Sequence, residues 1–482
     1  MNKVNITQKS VTNNVIWKFA EKASIQFVSA IVSTIVARFV SPAAYGVIAL
    51  ANTFISLLEI FVDGGLSNFL IQKKDPDDLD FSTVFFTNMI ICSLCYILLF
   101  VASPFLSEYY KNSDLTPIIR ILGLSLIIYG LKDVQHAYIS KQMQFKKFFF
   151  ASLLGTIIAG IIGIVMAVNN YGVWALVATS LIDLFVDTLV IWFVTDWRPK
   201  KIFSFVRLKE ALSYSSKLFI NSILGTIYTK AYQIEIANYY TMSDLAYYDK
   251  GEGIPTKLVG NLTNSINTVI KPVLSNYKDE IDSTKKITRQ TIKISTYIML
   301  PMLVGISIII EPLVKIVFTE KWLPIVPYVR IMCVYEFLCN LININANIMR
   351  TSGRSDLLLK NNTIIEVVGL IILFAIVRCG VMMLAVVKII TTIIQYILFV
   401  STTKKLINYS LKEQIFDVFP NIFISFIMAA LVFLVGLIQN SLLVKLILQI
   451  LVGIVAYIAL SLLFKNSSFY TLLNIIKTKS NK

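Results

Sequence analysis

The chain is poor in almost everything that water-soluble enzymes rely on. It has one histidine, five cysteines, and only 15% charged residues. A single histidine, His136, sits beside a basic stretch and reads as an interfacial residue, which leaves acid–base or acyl-transfer chemistry without its usual partner. There is no Gly-rich loop closing on Lys-Ser or Lys-Thr, so direct ATP use through a phosphate-binding loop is excluded. Cys92 and Cys95 form a C-x-x-C, but with no second pair and no neighbouring histidine they read as small apolar packing residues, as do Cys333, Cys339 and Cys379. Long polar stretches are absent between the apolar runs, so no folded domain is expected outside them.

What is abundant is apolar sequence: 56% hydrophobic residues and a mean hydropathy of +0.73 across 482 residues. A helix needs about 20 apolar residues to cross the hydrocarbon core, and about 14 such spans can be counted. They centre near residues 28, 58, 93, 126, 159, 183, 227, 260, 299, 336, 367, 390, 428 and 453. The fold class is therefore an all-α polytopic membrane protein. The net charge of +16 is a topological signal rather than a sign of nucleic acid. Lys and Arg alternate between rich and poor loops, roughly 26 against about 4, an asymmetry that places both termini in the cytoplasm. Enrichment in Ile, Asn, Lys and Phe suggests an AT-rich bacterial genome and hence the bacterial inner membrane. The polar segment Met1–Ser10 has no cleavable apolar region, so the first span is expected to act as its own insertion signal.

Four spans carry a polar stripe at helical spacing. The first has Asn14, Lys18, Lys22 and Gln26, and the second Asn52, Ser56, Glu59 and Asp63. The third has Lys217, Asn221, Tyr228, Tyr232 and Glu235, and the fourth Lys250, Lys257, Asn261, Asn264 and Lys271. Charged groups at bilayer depth face protein or water. Four stripes thus imply a hydrated cavity within a helical bundle, and the chain reads as a transporter. Glu59 and Asp63 lie one turn apart, as do Asp183 and Asp187 on the sixth span; these pairs are the expected sites of proton or sodium coupling. Gly251, Gly253 and Pro255 suggest a helix break beside Lys250 and Lys257. No cofactor is expected beyond the coupling ion, H+ or Na+, and no metal.

The pattern repeats at a period of about 200 residues. Val40-Ser41-Pro42-Ala43-Ala44-Tyr45 follows the first striped span, and Tyr240 to Tyr247 follows the third, with Ala44-Tyr45 aligned on Ala246-Tyr247. An acidic loop with leading lysines recurs as Lys73 to Asp80 and Lys278 to Asp282. Six spans per half make the halves parallel repeats. The expected domains are a first six-helix bundle over 1–201, a second over 202–405, and a final helix pair with a tail over 406–482.

This 6+6+2 pattern, its striped first, second, seventh and eighth spans, and the turn Phe39 to Val47 resemble the MOP exporter superfamily. Within it the chain is most similar to bacterial polysaccharide flippases of the Wzx type, the branch of the colanic and teichuronic acid exporters. Val40-Ser41-Pro42-Ala43-Ala44-Tyr45-Gly46 and Asp63-Gly64-Gly65-Leu66 with Gln72-Lys73 carry that likeness. The resemblance implies alternating-access transfer of a polyprenyl-pyrophosphate-linked oligosaccharide to the outer leaflet. On that reading Lys18, Lys22, Lys250 and Lys257 would meet the pyrophosphate, with Lys217, Lys230 and Lys271 nearer the span ends. Gln26, Asn221, Tyr228, Tyr232, Asn261 and Asn264 would meet the sugars. Expected partners are the lipid-linked oligosaccharide, membrane lipids and a polysaccharide polymerase. The competing readings are a multidrug or cation exporter of the same superfamily and, from another class, an integral membrane polymerase or acyltransferase.

Overall fold

In hydrocarbon every peptide group must be satisfied within its own segment, and this chain answers with helices. The structure, a computed structural model, describes residues 8–62, 65–277, 280–438 and 441–480, and among these there is no strand. The chain forms two compact units, Met1–Ala246 and Tyr247–Lys482.

The first unit contains α1 (Gln8–Phe39), α2 (Pro42–Val62), α3 (Leu66–Gln72), α4 (Asp78–Tyr109), α5 (Leu115–Leu122), α6 (Leu124–Lys141), α7 (Phe145–Val168), α8 (Val173–Val194) and α9 (Phe205–Tyr239). The start of α10 (Met242–Asn276) also belongs to it. The second unit takes the rest of α10, then α11 (Ile281–Val317), α12 (Ile325–Thr351), α13 (Ser355–Ile376), α14 (Val381–Ile407), α15 (Leu411–Gly436), α16 (Leu442–Leu463) and α17 (Ser467–Ser480).

Each of the 14 expected span centres falls inside a helix. Twelve spans among the described residues are long and apolar enough to cross a membrane, with α5 and α6 together making one of them. The other two centres fall in α9 and α10, 35 residues each, whose polar stripes lower their hydropathy. Large apolar side chains stay exposed along the spans, as Ile90, Leu94, Ile97, Val101 and Phe105 do on α4, which suits lipid and not water.

The structure refines the repeat. Ser41 Oγ accepts the Ala44 N–H at 3.3 Å ahead of α2, and Thr241 Oγ1 accepts the Asp244 N–H at 3.1 Å ahead of α10. The equivalence is therefore Ser41 with Thr241 and Ala44 with Asp244. The alignment of Ala44-Tyr45 on Ala246-Tyr247 is displaced by two residues, because the capping hydroxyl sets the register and the shared Ala-Tyr pair does not. The helix break expected at Gly251, Gly253 and Pro255 does not occur: α10 runs through Pro255 and Pro272 as one helix. Neighbouring helices make such prolines tolerable in a membrane helix. Gly251 has a packing role instead, since a Cβ there would collide with the Tyr328 side chain of α12.

The boundary between units falls after α9, whereas the linker read from sequence is Asp196 to Lys201. The reason lies in packing. Helix α9 rests on α2, α3 and α4, and its Ala211 shares a core with Phe81, Phe85 and Trp197. The final pair α15 and α16 packs on α11 in the second unit.

Candidate functional site

The first unit holds a partly open cavity of about 470 Å³ lined mainly from α2, α6, α7 and α8, with Ile25 of α1 and Leu122 of α5. Its construction begins with a close helix crossing. A Cβ on Gly155 of α7 would sit 2.8 Å from the Asp183 carbonyl oxygen of α8, so only glycine lets the two backbones approach this far. That approach brings Thr156 Oγ1 to 2.9 Å from Asp183 Oδ1, and Ser152 Oγ to 2.9 Å from Asp187 Oδ1. Lys132 of α6 closes an ion pair on the other oxygen of Asp187. From α2, Asn52, Ser56 and Glu59 line the same space.

Among the described residues, three carboxylates, Glu59, Asp183 and Asp187, thus share one cavity with one ammonium, Lys132. Carboxylates at bilayer depth, walled by helices and beside hydroxyl and amide oxygens, make a polar chamber of the kind that can take up a proton or a monovalent cation. Among the described residues no three His, Cys, Asp or Glu side chains converge as a metal site. A cation here would therefore be held by carboxylate together with Ser, Thr and Asn oxygens.

Sequence reasoning had singled out Glu59, Asp183 and Asp187, and the fold brings all three together. It had missed Lys132. The signal was present in the adjacent charges Lys132-Asp133 inside the otherwise apolar run of α6. Asp133 turns elsewhere, accepting from Asn88 Nδ2 at 2.8 Å and from Ser67 Oγ. The one histidine, His136, stacks on Phe148 with centroids 4.1 Å apart.

The second unit holds a polar cluster that sequence reasoning also missed. Lys388 of α14 is only 3% exposed, and its Nζ lies 2.7 Å from Glu252 Oε1 and 3.3 Å from the Tyr248 hydroxyl of α10. The ammonium also sits 4.7 Å from the centre of the Tyr335 ring on α12. Beside it, Thr256 donates to Glu336 at 2.5 Å. An isolated lysine within the apolar run Val381 to Tyr396 was the legible clue.

The side chains of Lys18, Asp63, Asn221 and Asn261 lie outside the described residues. Lys22, Lys257 and Asn264 are exposed, Gln26 and Tyr228 half-buried, and Tyr232 fully buried. The Tyr228 and Tyr232 hydroxyls lie 3.5 Å apart, with the rings edge to face. Lys250 is half-buried, its Nζ 5.5 Å from the Phe318 ring and 5.2 Å from the Trp322 ring. Of those described, Lys22, Gln26, Tyr228, Tyr232, Lys250, Lys257 and Asn264 are not among the residues that line the acidic cavity.

Comparison with known proteins agrees with this architecture. The chain is 22% identical to the succinoglycan biosynthesis transport protein ExoT of Rhizobium meliloti (strain 1021), over 66% of this chain and 64% of that protein. It is 22% identical to the lipopolysaccharide biosynthesis protein WzxC of Escherichia coli (strain K12), over 68% of this chain and 67% of that one. The teichuronic acid biosynthesis protein TuaB of Bacillus subtilis (strain 168) matches at 22% over 62% of both. The matches thus span about two thirds of the length of these relatives or slightly less. In fold, the chain superposes on the lipid II flippase MurJ in its inward closed conformation with a TM-score of 0.76 at 16% identity, covering 94% of this chain and 98% of that one. An inward-facing multidrug resistance MATE family transporter of the MOP superfamily gives 0.61 at 13% identity, covering 79% and 95%. The sequence profile of the family described as "Polysaccharide biosynthesis protein" matches residues 35–327, more than half of the chain, and this multi-pass membrane protein belongs to that family.

Proposed function

We propose that the chain moves a polyprenyl-pyrophosphate-linked oligosaccharide from the cytoplasmic to the outer leaflet of a bacterial inner membrane, by alternating access and with both termini cytoplasmic. The observation that carries this reading is the likeness to a lipid-linked flippase over 94% of the chain, against 79% for the multidrug exporter. Family membership and the names of three polysaccharide-pathway relatives support it.

The chemistry is consistent. A sugar cannot enter hydrocarbon without losing hydrogen bonds to water, so a carrier must replace them. Lys22 in the first unit and Lys257 in the second are exposed, and each is a candidate to meet a pyrophosphate, since lysine grips phosphate as a point charge that releases readily. The acidic cavity of Glu59, Asp183 and Asp187 is the seat of ion coupling. Neutralising a carboxylate there with H+ or Na+ lowers the cost of closing a dry pocket around it. A polysaccharide polymerase on the far side of the membrane is the partner that draws product away.

Replacing Lys22 and Lys257 together with Gln should abolish export of the lipid-linked glycan while membrane abundance stays unchanged. Wild-type export by that variant would remove the lysines from the mechanism. Export of hydrophobic cations in place of glycan would favour the multidrug reading. Cysteines placed over Ser107 to Ser113 should label from outside intact cells, and those over Lys404 to Lys412 only after permeabilisation. The reverse pattern would overturn the orientation.

A further inference from the structure

We infer that the second unit binds the phosphate of an anionic membrane lipid in a basic pocket between the start of α11 and α17. The pocket has a volume of about 510 Å³, ample for a phosphate diester headgroup. Steps of three and four place Asp282, Lys286, Arg289 and Lys293 on one face of α11, and Lys285 also lines the space. Ser467 and Thr471, one turn apart on α17, form the opposite wall. Four cations therefore face one carboxylate, Asp282.

The second row of charges fixes these cations without cancelling them. Asp417 of α15 accepts Arg289 Nε at 2.7 Å and Nη2 at 2.8 Å, Lys293 Nζ at 3.1 Å and the Tyr409 hydroxyl at 2.8 Å. That carboxylate is saturated, and the remaining guanidinium N–H groups stay available to another acceptor. Lys285 is matched by Glu413 at 2.7 Å. Lys286 is exposed and makes no ion pair among the described residues. With Asp282, Glu413 and Asp417 all counted as ionised, one net positive charge remains at a site whose donors are held in place.

The surroundings select a lipid over a free anion. Helix α17 is tied down where Asn466 Nδ2 donates to Asn421 Oδ1 at 3.0 Å and Asn466 Oδ1 accepts the Ser468 N–H at 2.8 Å. Phe416 and Phe419 next to Asp417, and Leu463 and Phe464 next to Asn466, are exposed at 65%, 57%, 74% and 48%. Water penalises such side chains and acyl chains do not. The segments that hold the pocket's cations and anchor α17 thus carry exposed apolar surface, which suits the acyl chains of a bound lipid. The arrangement is that of a basic pocket on the Lys/Arg-rich side of a membrane helix.

The test uses full-length protein purified in detergent and exposed to equimolar phosphatidylglycerol and phosphatidylcholine, with retained lipid read by native mass spectrometry. Wild type should retain phosphatidylglycerol several-fold over phosphatidylcholine. Lys286→Gln should cut that preference about fivefold, the effect of one surface lysine on an anionic lipid. Lys286→Glu and Thr471→Asp should cut it further, with thermal midpoints unchanged because Lys286 is exposed and Thr471 only partly buried. Equal retention of the two lipids by wild type, or an unchanged preference in all three variants, would overturn the assignment. Inorganic pyrophosphate raising the thermal midpoint of wild type but not of Lys286→Glu, with no lipid preference, would make this a soluble-anion site and overturn it equally.

Discussion

The two units solve the same packing problem with opposite charge. In the first unit α9, the helix that follows six spans, lies on α4, the third of them. There the third span supplies the acids: Asp77, Asp78 and Asp80 at the start of α4 face Arg207 of α9 at 3.6 Å, Lys200 at 2.6 Å and Lys73 at 2.8 Å. In the second unit α15, which follows the next six spans, lies on α11, again the third. Here the third span supplies the cations, and α15 returns Glu413 and Asp417 to Lys285, Arg289 and Lys293. What the repeat keeps is complementarity at a joint, and the sign of each partner is free to invert. That freedom is one reason the internal repeat is so faint in the letters of the sequence. The joint of the second unit also borders the basic pocket, whereas the acidic cavity of the first unit is built by other helices, away from its joint.

Breaking an ion pair buried among the spans of each unit should have the largest effect. Lys388→Met strands Glu252, and Lys132→Met strands Asp187 beside Asp183 and Glu59. Each change should cost about 3–5 kcal/mol, seen as a large fall in the thermal midpoint in detergent. Pairing Lys388→Met with Glu252→Gln, or Lys132→Met with Asp187→Asn, should restore most of that loss. A single-variant cost under about 1 kcal/mol would mean that the pair is hydrated and adds no more than a surface bridge.

The joints should respond less. Arg289→Asp and Asp417→Arg made singly put like charges together, while the double change recreates the polarity of the first unit. A double-mutant cycle should give a favourable coupling of about 0.5–3 kcal/mol. Additive single effects would show that the joint rests on apolar packing and not on charge.

Smallest is the cap that starts α4, where Asp77 accepts the Asp80 N–H at 2.8 Å and Asp80 reciprocates to the Asp77 N–H at 3.1 Å. Asp77→Ala should cost about 1 kcal/mol. The Asp80 N–H holds the Asp77 carboxyl below the usual aspartate range. The cap's contribution is therefore complete above the ordinary aspartate pKa and is lost as pH falls through the lower folded value. The difference between wild type and Asp77→Ala should shrink on acidification; a difference that grows would contradict the hydrogen-bonded cap. The cap of α15 offers a control of the same size, because Ser410 there accepts the Glu413 N–H at 3.3 Å through a hydroxyl that does not titrate.

The sequence by itself determined the helices. An apolar run long enough to cross a bilayer has one way to satisfy its backbone, so all the expected centres landed within helices. It also singled out Glu59, Asp183 and Asp187 as carboxylates that are expensive in an apolar run, and all three line one cavity. Periodicity further gave the repeat, although its register waited for the capping hydroxyls of Ser41 and Thr241. The tertiary structure alone decided partnership. Lys132 meets Asp187 because α6 packs on α8 at that level. Lys388 meets Glu252 because α10 and α14 cross at those two turns. Both lysines stand in spans where a charge signals function, yet neither carries the identity of its partner. A helix's sequence fixes which residues share its face, and its rotation against neighbours follows from side-chain volumes distributed over several other helices. For the same reason the boundary between units moved beyond α9, whose allegiance rests on where Ala211, Phe81 and Trp197 interlock and not on the polar linker that precedes it.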